Sequence, residues 1–210
     1  MSEFLGIDIK TLDNGVFHIY QPRLVRKVLE STGMDHFNGL PTTTNVEAPI
    51  GTDENGSEAT WDLPNSHAYV IGIILYLASN TRTYISFDIK QCTRFTNNTK
   101  ESHETSVKRI CRYLQGIKYK SLVFNTPKKM VVDCYAGAYF ARLWGHENLQ
   151  DPICYRIRTT FVINVSNCPL LWMSKRHIDI YLSTLHSDYV ELYNYVRRLL
   201  PLKIPIKEVI

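Results

Sequence analysis

The order of apolar and polar residues changes character along the chain. Phe4-Leu5-Gly6-Ile7-Asp8-Ile9-Lys10 alternates with period two, as a half-buried strand does, and Val16 to Tyr20 repeats the pattern. Asp13-Asn14-Gly15 between them is a strong turn signal, so the spacing predicts a hairpin. Pro22 suits the first position of a helix, where a missing N–H costs nothing. Leu24, Val25, Val28 and Leu29 share one helical face, and Gly33 can close that helix in the left-handed conformation. Residues 40–66 mix Pro, Thr, Gly, Asn, Asp and Glu without a period and read as a long loop or linker.

A helical region follows. Tyr69 to Ala78 is apolar nearly all round, which predicts burial against other helices. Ile85, Ile89 and Cys92 mark a second amphipathic face. Ser102 can cap a third helix with Val107, Ile110 and Leu114 inside and Gly116 as its stop. From about residue 121 the period returns to two: Leu122 to Phe124, Val131 to Ala136, then Phe161 to Val165 and Leu170 to Trp172 around the turn Ser166-Asn167-Cys168-Pro169. Ile178, Ile180 and Leu182 alternate again. Ser183 or Thr184 opens a helix with Leu185, Tyr189, Leu192, Val196 and Leu199 on one face, and Pro201 is expected to break or kink it.

Composition narrows the class. The 210 residues are 44% hydrophobic, enough for a core in one or two small domains. A net charge of +4 and a pI of about 8.7 permit a polyanionic partner without requiring one. Cys92, Cys111, Cys134, Cys154 and Cys168 contain no Cys-x-x-Cys pair, so they read as reduced thiols rather than as a zinc ribbon or a disulfide framework. The N-terminus lacks the basic-then-apolar order of a secretory signal, and the longest apolar run is about half of the ~20 residues a membrane helix needs. The expected location is cytoplasmic or nuclear, not secreted, and no membrane contact is expected.

Several stretches, in one order, resemble the Pol polyprotein of copia-type retrotransposons. Phe4-Leu5-Gly6-Ile7 is similar to the strand after the polymerase active-site hairpin. Tyr69-x-x-Gly72-x-x-x-Tyr76-Leu77-Ala78, Thr81-Arg82, Arg94-Phe95, His103 and Lys108-Arg109-x-x-Arg112-Tyr113-Leu114-x-Gly116 are similar to the helical segment after the thumb. Trp172-x-Ser174-Lys175 and Ser183-Thr184-x-x-Ser187-x-Tyr189 resemble the opening half of the ribonuclease H domain. The resemblance implies parents that copy RNA into DNA and cleave the RNA of an RNA–DNA hybrid, each through carboxylates holding two Mg²⁺ ions. It divides the chain into a reverse transcriptase C-terminal segment (1–45), a linker (46–66), a helical thumb or connection segment (67–120) and a partial ribonuclease H-like domain (121–210). The fold expected is α+β: a hairpin with helices, then a mixed sheet with one helix.

The same resemblance implies that the chemistry is lost. The polymerase carboxylates of the family precede the Phe-Leu-Gly-Ile strand. The first ribonuclease strand of the family reads Tyr-x-Asp-Ala-Asp-aromatic-Ala-Gly; here Gly137 stands at the first Asp, Tyr139 at the second and Arg142 at the Gly. Asp188 stands at the family's helix Glu, one methylene shorter. The family's third ribonuclease carboxylate lies on a later strand, beyond Ile210. Removing one member of a catalytic unit costs on the order of 10⁴-fold or more. Thr83-Tyr84 for Pro-Asp, Thr160 for Gly and His177 for Gln depart from the pattern too. Without the later strand, Val131 to Tyr135 is expected to present an open apolar edge.

The remaining candidates carry two readings each. Lys108, Arg109, Arg112, Lys118 and Lys120, with Lys128 and Lys129 nearby, either contact template–primer phosphates, as the resemblance implies, or form a solvated face. Trp172, Tyr113 and Phe95 either stack on bases or belong to the core, and their apolar surroundings favour the core. His146, Cys134 and Cys154 lack metal-ligand spacing. No metal site and no cofactor are expected in this chain. The function expected is that of a degenerate Pol fragment, a pseudoenzyme with at most weak affinity for RNA–DNA hybrid or other nucleic acid. One alternative is an interaction module that binds hybrid or intact Pol; another is residual metal-dependent ribonuclease H activity through Asp188.

Overall fold

The computed structural model describes residues 2–12, 15–43, 53, 55–59, 67–125, 130–139, 158–176 and 183–209. Ile178, Ile180 and Leu182, most of the 40–66 stretch, His146, Cys154, Lys128 and Lys129 lie outside the described residues. The fold is mixed α+β. Its elements are β1 (Ser2–Phe4), β2 (Ile7–Thr11), β3 (Phe17–Tyr20), α1 (Pro22–Thr32), α2 (His67–Asn80), α3 (Ser86–Cys92), α4 (Glu101–Gly116), β4 (Leu122–Phe124), β5 (Val132–Tyr139), β6 (Arg158–Val165), β7 (Cys168–Arg176) and α5 (Thr184–Val209). Short 3₁₀ turns at Thr83–Ile85 and Thr93–Phe95 flank α3. One sheet has the order β1-β2-β3-β4, the other β5-β6-β7. The chain divides into two compact units, Met1–Lys10 with His18–Leu122, and Thr11–Phe17 with Val123–Ile210.

In the first unit the single strand expected over Phe4–Lys10 is instead two. Leu5 (φ 50°) and Gly6 (φ 74°) are both left-handed, and Phe4 pairs with Ile7 across them. Two successive positive φ values give a tight turn whose twist matches the flanking strands, and glycine enters that region freely. The second hairpin closes as the sequence predicts, with Gly15 at φ 76° and the Leu12 N–H donating to the Val16 carbonyl at 2.9 Å.

Helix α1 begins with Pro22 and ends at Gly33, whose φ of 63° is the left-handed cap expected of it. Val25, Val28 and Leu29 turn inward and pack with Val70, Ile71, Ile74 and Leu77 of α2, Ile85, Ile89 and Cys92, and Val107, Ile110 and Leu114 of α4. Helix α2 is buried along most of its apolar length, but Tyr69 and Tyr76 face outward. Helix α4 starts two residues earlier than a Ser102 cap requires: extended Lys100 is the cap position, and its N–H donates to His103 Nδ1 at 3.0 Å. Ser102 lies inside the first turn and its hydroxyl donates to the Asp53 carboxylate. At the other end of α4 a Cβ added to Gly39 would lie 2.5 Å from the Gly116 Cα, so glycine lets these two backbones touch.

In the second unit β5, β6 and β7 form an antiparallel meander. The β6–β7 turn is two residues, Ser166 (φ 49°) and Asn167 (φ 66°), and Cys168 and Pro169 already belong to β7; the four-residue turn expected there is shortened by a second left-handed pair. Among the described strands β5 is at an edge, with Val131, Val132 and Tyr135 exposed. Ser183 caps α5, its Oγ accepting the His186 N–H at 3.1 Å. The helix then runs through Pro201 and Pro205 to Val209 rather than breaking at Pro201. Proline removes one donor there but holds φ near the helical value, so the path can continue.

Helix α5 reverses the side that its periodicity suggests. Leu185, Tyr189, Leu192 and Val196 are exposed, and Ser187 and Glu191 are the buried pair, each 2% accessible. Tyr195 stands edge-on to Phe161 of β6, with ring centroids 6.4 Å apart.

Candidate functional site

The stretch at which the resemblance places metal-binding carboxylates is the far half of β5. There Gly137 pairs with Thr160 of β6, and Tyr139 pairs with Arg158. Gly137 has no side chain to offer, but a carboxylate reaches the same spot from α5. Glu191 Oε1 accepts the Gly137 N–H at 3.0 Å and the Thr160 N–H at 3.1 Å, so it takes both amides of one cross-strand pair. The Thr160 hydroxyl donates to the Gly137 carbonyl at 3.0 Å. Glu191 Oε2 is buried with no hydrogen-bond partner among the described residues.

Burial pushes the Glu191 carboxyl up to about 7, and the negative charge of Asp188 adds to the effect; the two amide bonds act against it. A carboxyl of this kind is half neutral near pH 7. Asp188 itself is exposed on α5. Among the described residues no group of three or more His, Cys, Asp or Glu side chains is arranged to hold a metal ion. The donor set does not suit Mg²⁺ either: Glu191 brings a single carboxylate, its Oε1 already accepts from two amides, and burial favours its neutral form.

Glu191 is absent from the residues the sequence singles out. The available signal was its spacing: it lies four residues after Ser187, so the two share a face, and that face is opposite Leu185, Tyr189 and Leu192. An apolar stripe is ordinarily the buried side of a helix, and on α5 it is the exposed one.

The basic residues of α4 and the turn after it lie in the first unit. Lys108 is paired with Glu104 one turn earlier. Arg109 donates to the Thr42 hydroxyl at 3.0 Å. Arg112 donates to the Asn38 carbonyl at 3.4 Å and lies over the Phe37 ring. Lys118 sits over the Tyr119 ring, and Lys120 is exposed. The α4 cations are thus largely engaged in holding residues 37–42 against the helix. Of the aromatic candidates, Tyr113 packs against the core, Phe95 stacks on the His103 ring at 4.1 Å, and Trp172 is half-buried on β7. Cys92, Cys111 and Cys168 are buried free thiols, and burial pushes the first two up to about 12. Among the described residues no helix is long and apolar enough to cross a membrane.

Over 192 residues, 91% of this chain, it is 26% identical to the retrovirus-related Pol polyprotein from transposon RE1 of Arabidopsis thaliana. The chain is similar to transposon Pol polyproteins. It is also 21% identical, over 84% of its length, to the putative transposon Ty5-1 protein YCL074W of Saccharomyces cerevisiae. The Pol-like match spans 12% of the first relative and 54% of the second. No family model and no solved structure matches. The similarity runs over most of the chain and covers both units.

Proposed function

We propose that this chain is a degenerate copia-type Pol fragment, spanning the end of a reverse transcriptase and the first half of a ribonuclease H-like domain, that hydrolyses no phosphodiester bond. The observation that carries the reading is at Gly137. Two-metal chemistry needs carboxylates with free oxygens converging on one point. The strand supplies none there, and Glu191, the carboxylate that arrives, gives one oxygen to two backbone amides and is held toward its neutral form by burial. Nucleic-acid affinity is weak on the same reading, because Lys108 is neutralised by Glu104 and the Arg109 and Arg112 side chains are held on residues 38–42, so few cations are placed to replace the counterions of a nucleic acid.

The test is incubation of the full chain with a labelled RNA–DNA hybrid and either Mg²⁺ or Mn²⁺, alongside a salt titration of hybrid binding. No cleavage and a shallow salt slope are expected. Cleavage that disappears in Asp188→Asn would overturn the catalytic part of the reading. A steep slope that drops in Lys108→Ala/Arg109→Ala/Arg112→Ala would replace the binding part with an interaction module.

A further inference from the structure

We infer that the outward stripe of α5 is a homodimer seam, in which α5 of a second copy packs antiparallel about an axis between Leu192 and Tyr193. The stripe is Leu185, Tyr189, Leu192, Tyr193, Val196 and Leu200, continued by Ile204; each is between 39% and 65% accessible. The alternating steps of four and three residues from Leu185 to Val196 are those of a helix–helix seam. Monomeric soluble proteins seldom leave so long an apolar stripe open.

Three features select a second copy as the occupant. The first is area. At about 100–200 Å² per large apolar side chain, the stripe offers roughly 700 Å² per copy. Self-pairing then buries on the order of 1,400 Å², within the span of about 1,200–2,000 Å² typical of specific interfaces. The second is self-complementarity. An antiparallel pair centred between Leu192 and Tyr193 places Leu185 level with Leu200, Tyr189 with Val196, and Leu192 with Tyr193, so each large ring meets a smaller or branched side chain. A two-fold interface must match itself in this way. The third is charge. Toward its exposed side the N-terminal half of α5 carries Asp188, and the C-terminal half carries Arg197, Arg198 and Lys203. Antiparallel packing sets unlike halves side by side and opposes the helix dipoles, whereas parallel packing aligns the basic halves.

Sedimentation of the full chain across micromolar concentrations tests this. The expected species has twice the 24.3 kDa chain mass. Tyr189→Glu and Val196→Lys should each raise the dimer Kd by roughly 30-fold or more, since each change occurs twice in the seam. The far-UV circular dichroism should stay as in the parent. The double variant Tyr189→Glu/Val196→Lys should recover the dimer, because the introduced carboxylate of one copy then meets the introduced ammonium of the other. A parallel pair would instead set like charges together and stay apart. A chain that remains monomeric throughout overturns the seam, and so does a dimer indifferent to these changes. Monomers that bind anionic lipid vesicles through the same residues would reassign the stripe to a membrane surface.

Discussion

The two units bury apolar and polar side chains in different proportions. In the first, α1 to α4 bury an ordinary apolar core in which Val25, Val28, Ile74, Leu77, Ile85, Ile89 and Leu114 are fully inaccessible. In the second, Phe161, Ile163 and Cys168 are the buried apolar residues among those described, while Arg158, Thr159, Ser174, Ser187 and Glu191 are buried polar ones. Its helix faces the sheet with Ser187 and Glu191 and shows leucine and tyrosine to the outside. Burial of apolar area is the main driving force of folding. Among the described residues the first unit therefore has the larger apolar reserve, and the second leans more on hydrogen bonds, which are worth less and cost more when broken.

The largest effect that separates them is a methylene deletion. Ile74→Ala, in the middle of the helical core, should cost about 2–5 kcal/mol. Leu192→Ala, with 52% of its residue surface accessible, should cost within about 0.5 kcal/mol at concentrations where the chain is monomeric. Urea midpoints followed by far-UV circular dichroism compare the two. Equal losses would mean that the two units do not differ in the way their burial implies.

The second unit is where pH should act. Glu191 titrates near 7 in the fold and near 4.5 in an ordinary environment. Between those values the folded chain holds a proton that the unfolded chain has released, so raising pH through this window favours unfolding. The contribution is largest below about pH 4.5 and is lost by about pH 7 to 8, a change on the order of 3 kcal/mol. Glu191→Gln keeps an oxygen for the Gly137 and Thr160 amides and removes the charge. The variant should lose this slope and exceed the parent in stability above pH 7. Parallel pH profiles for the two chains would show that Glu191 is not the titrating group.

The same contrast explains what the sequence made legible. The helical unit could be read closely: Pro22 and Gly33 bound α1, and Ile85, Ile89 and Cys92 are all inside. There the apolar stripe and the buried face coincide, so period alone finds the core. The turn at Leu5-Gly6 was hidden because alternation continues across a two-residue hairpin. In the second unit the strands could be read but the helix could not be oriented, because its apolar stripe is the exposed one. That Gly137 and Tyr139 offer no carboxylate stands in the sequence. The arrival of Glu191 does not, since it depends on which face of α5 meets β5 and β6.

A buried charge sets a smaller effect than either the Ile74 deletion or the Glu191 titration, and it lies in the first unit. Arg82 is fully inaccessible, and its guanidinium donates to the carbonyls of Thr81 at 3.2 Å, Ile117 at 3.5 Å and Lys120 at 2.8 Å. Two of those carbonyls belong to the turn that ends α4, so the cation sits at the negative end of that helix. Burial lowers the Arg82 pKa, which measures the cost of holding a charge there. Arg82→Met removes that cost and the three bonds together. The desolvation relieved and the carbonyls left unpaired then oppose each other, and the net loss should be about 1–2 kcal/mol, below that of Ile74→Ala. A urea midpoint measures it. A gain in stability would mean that the charge costs more than its carbonyl contacts return, and that the first unit, like the second, carries a polar group its packing would do better without.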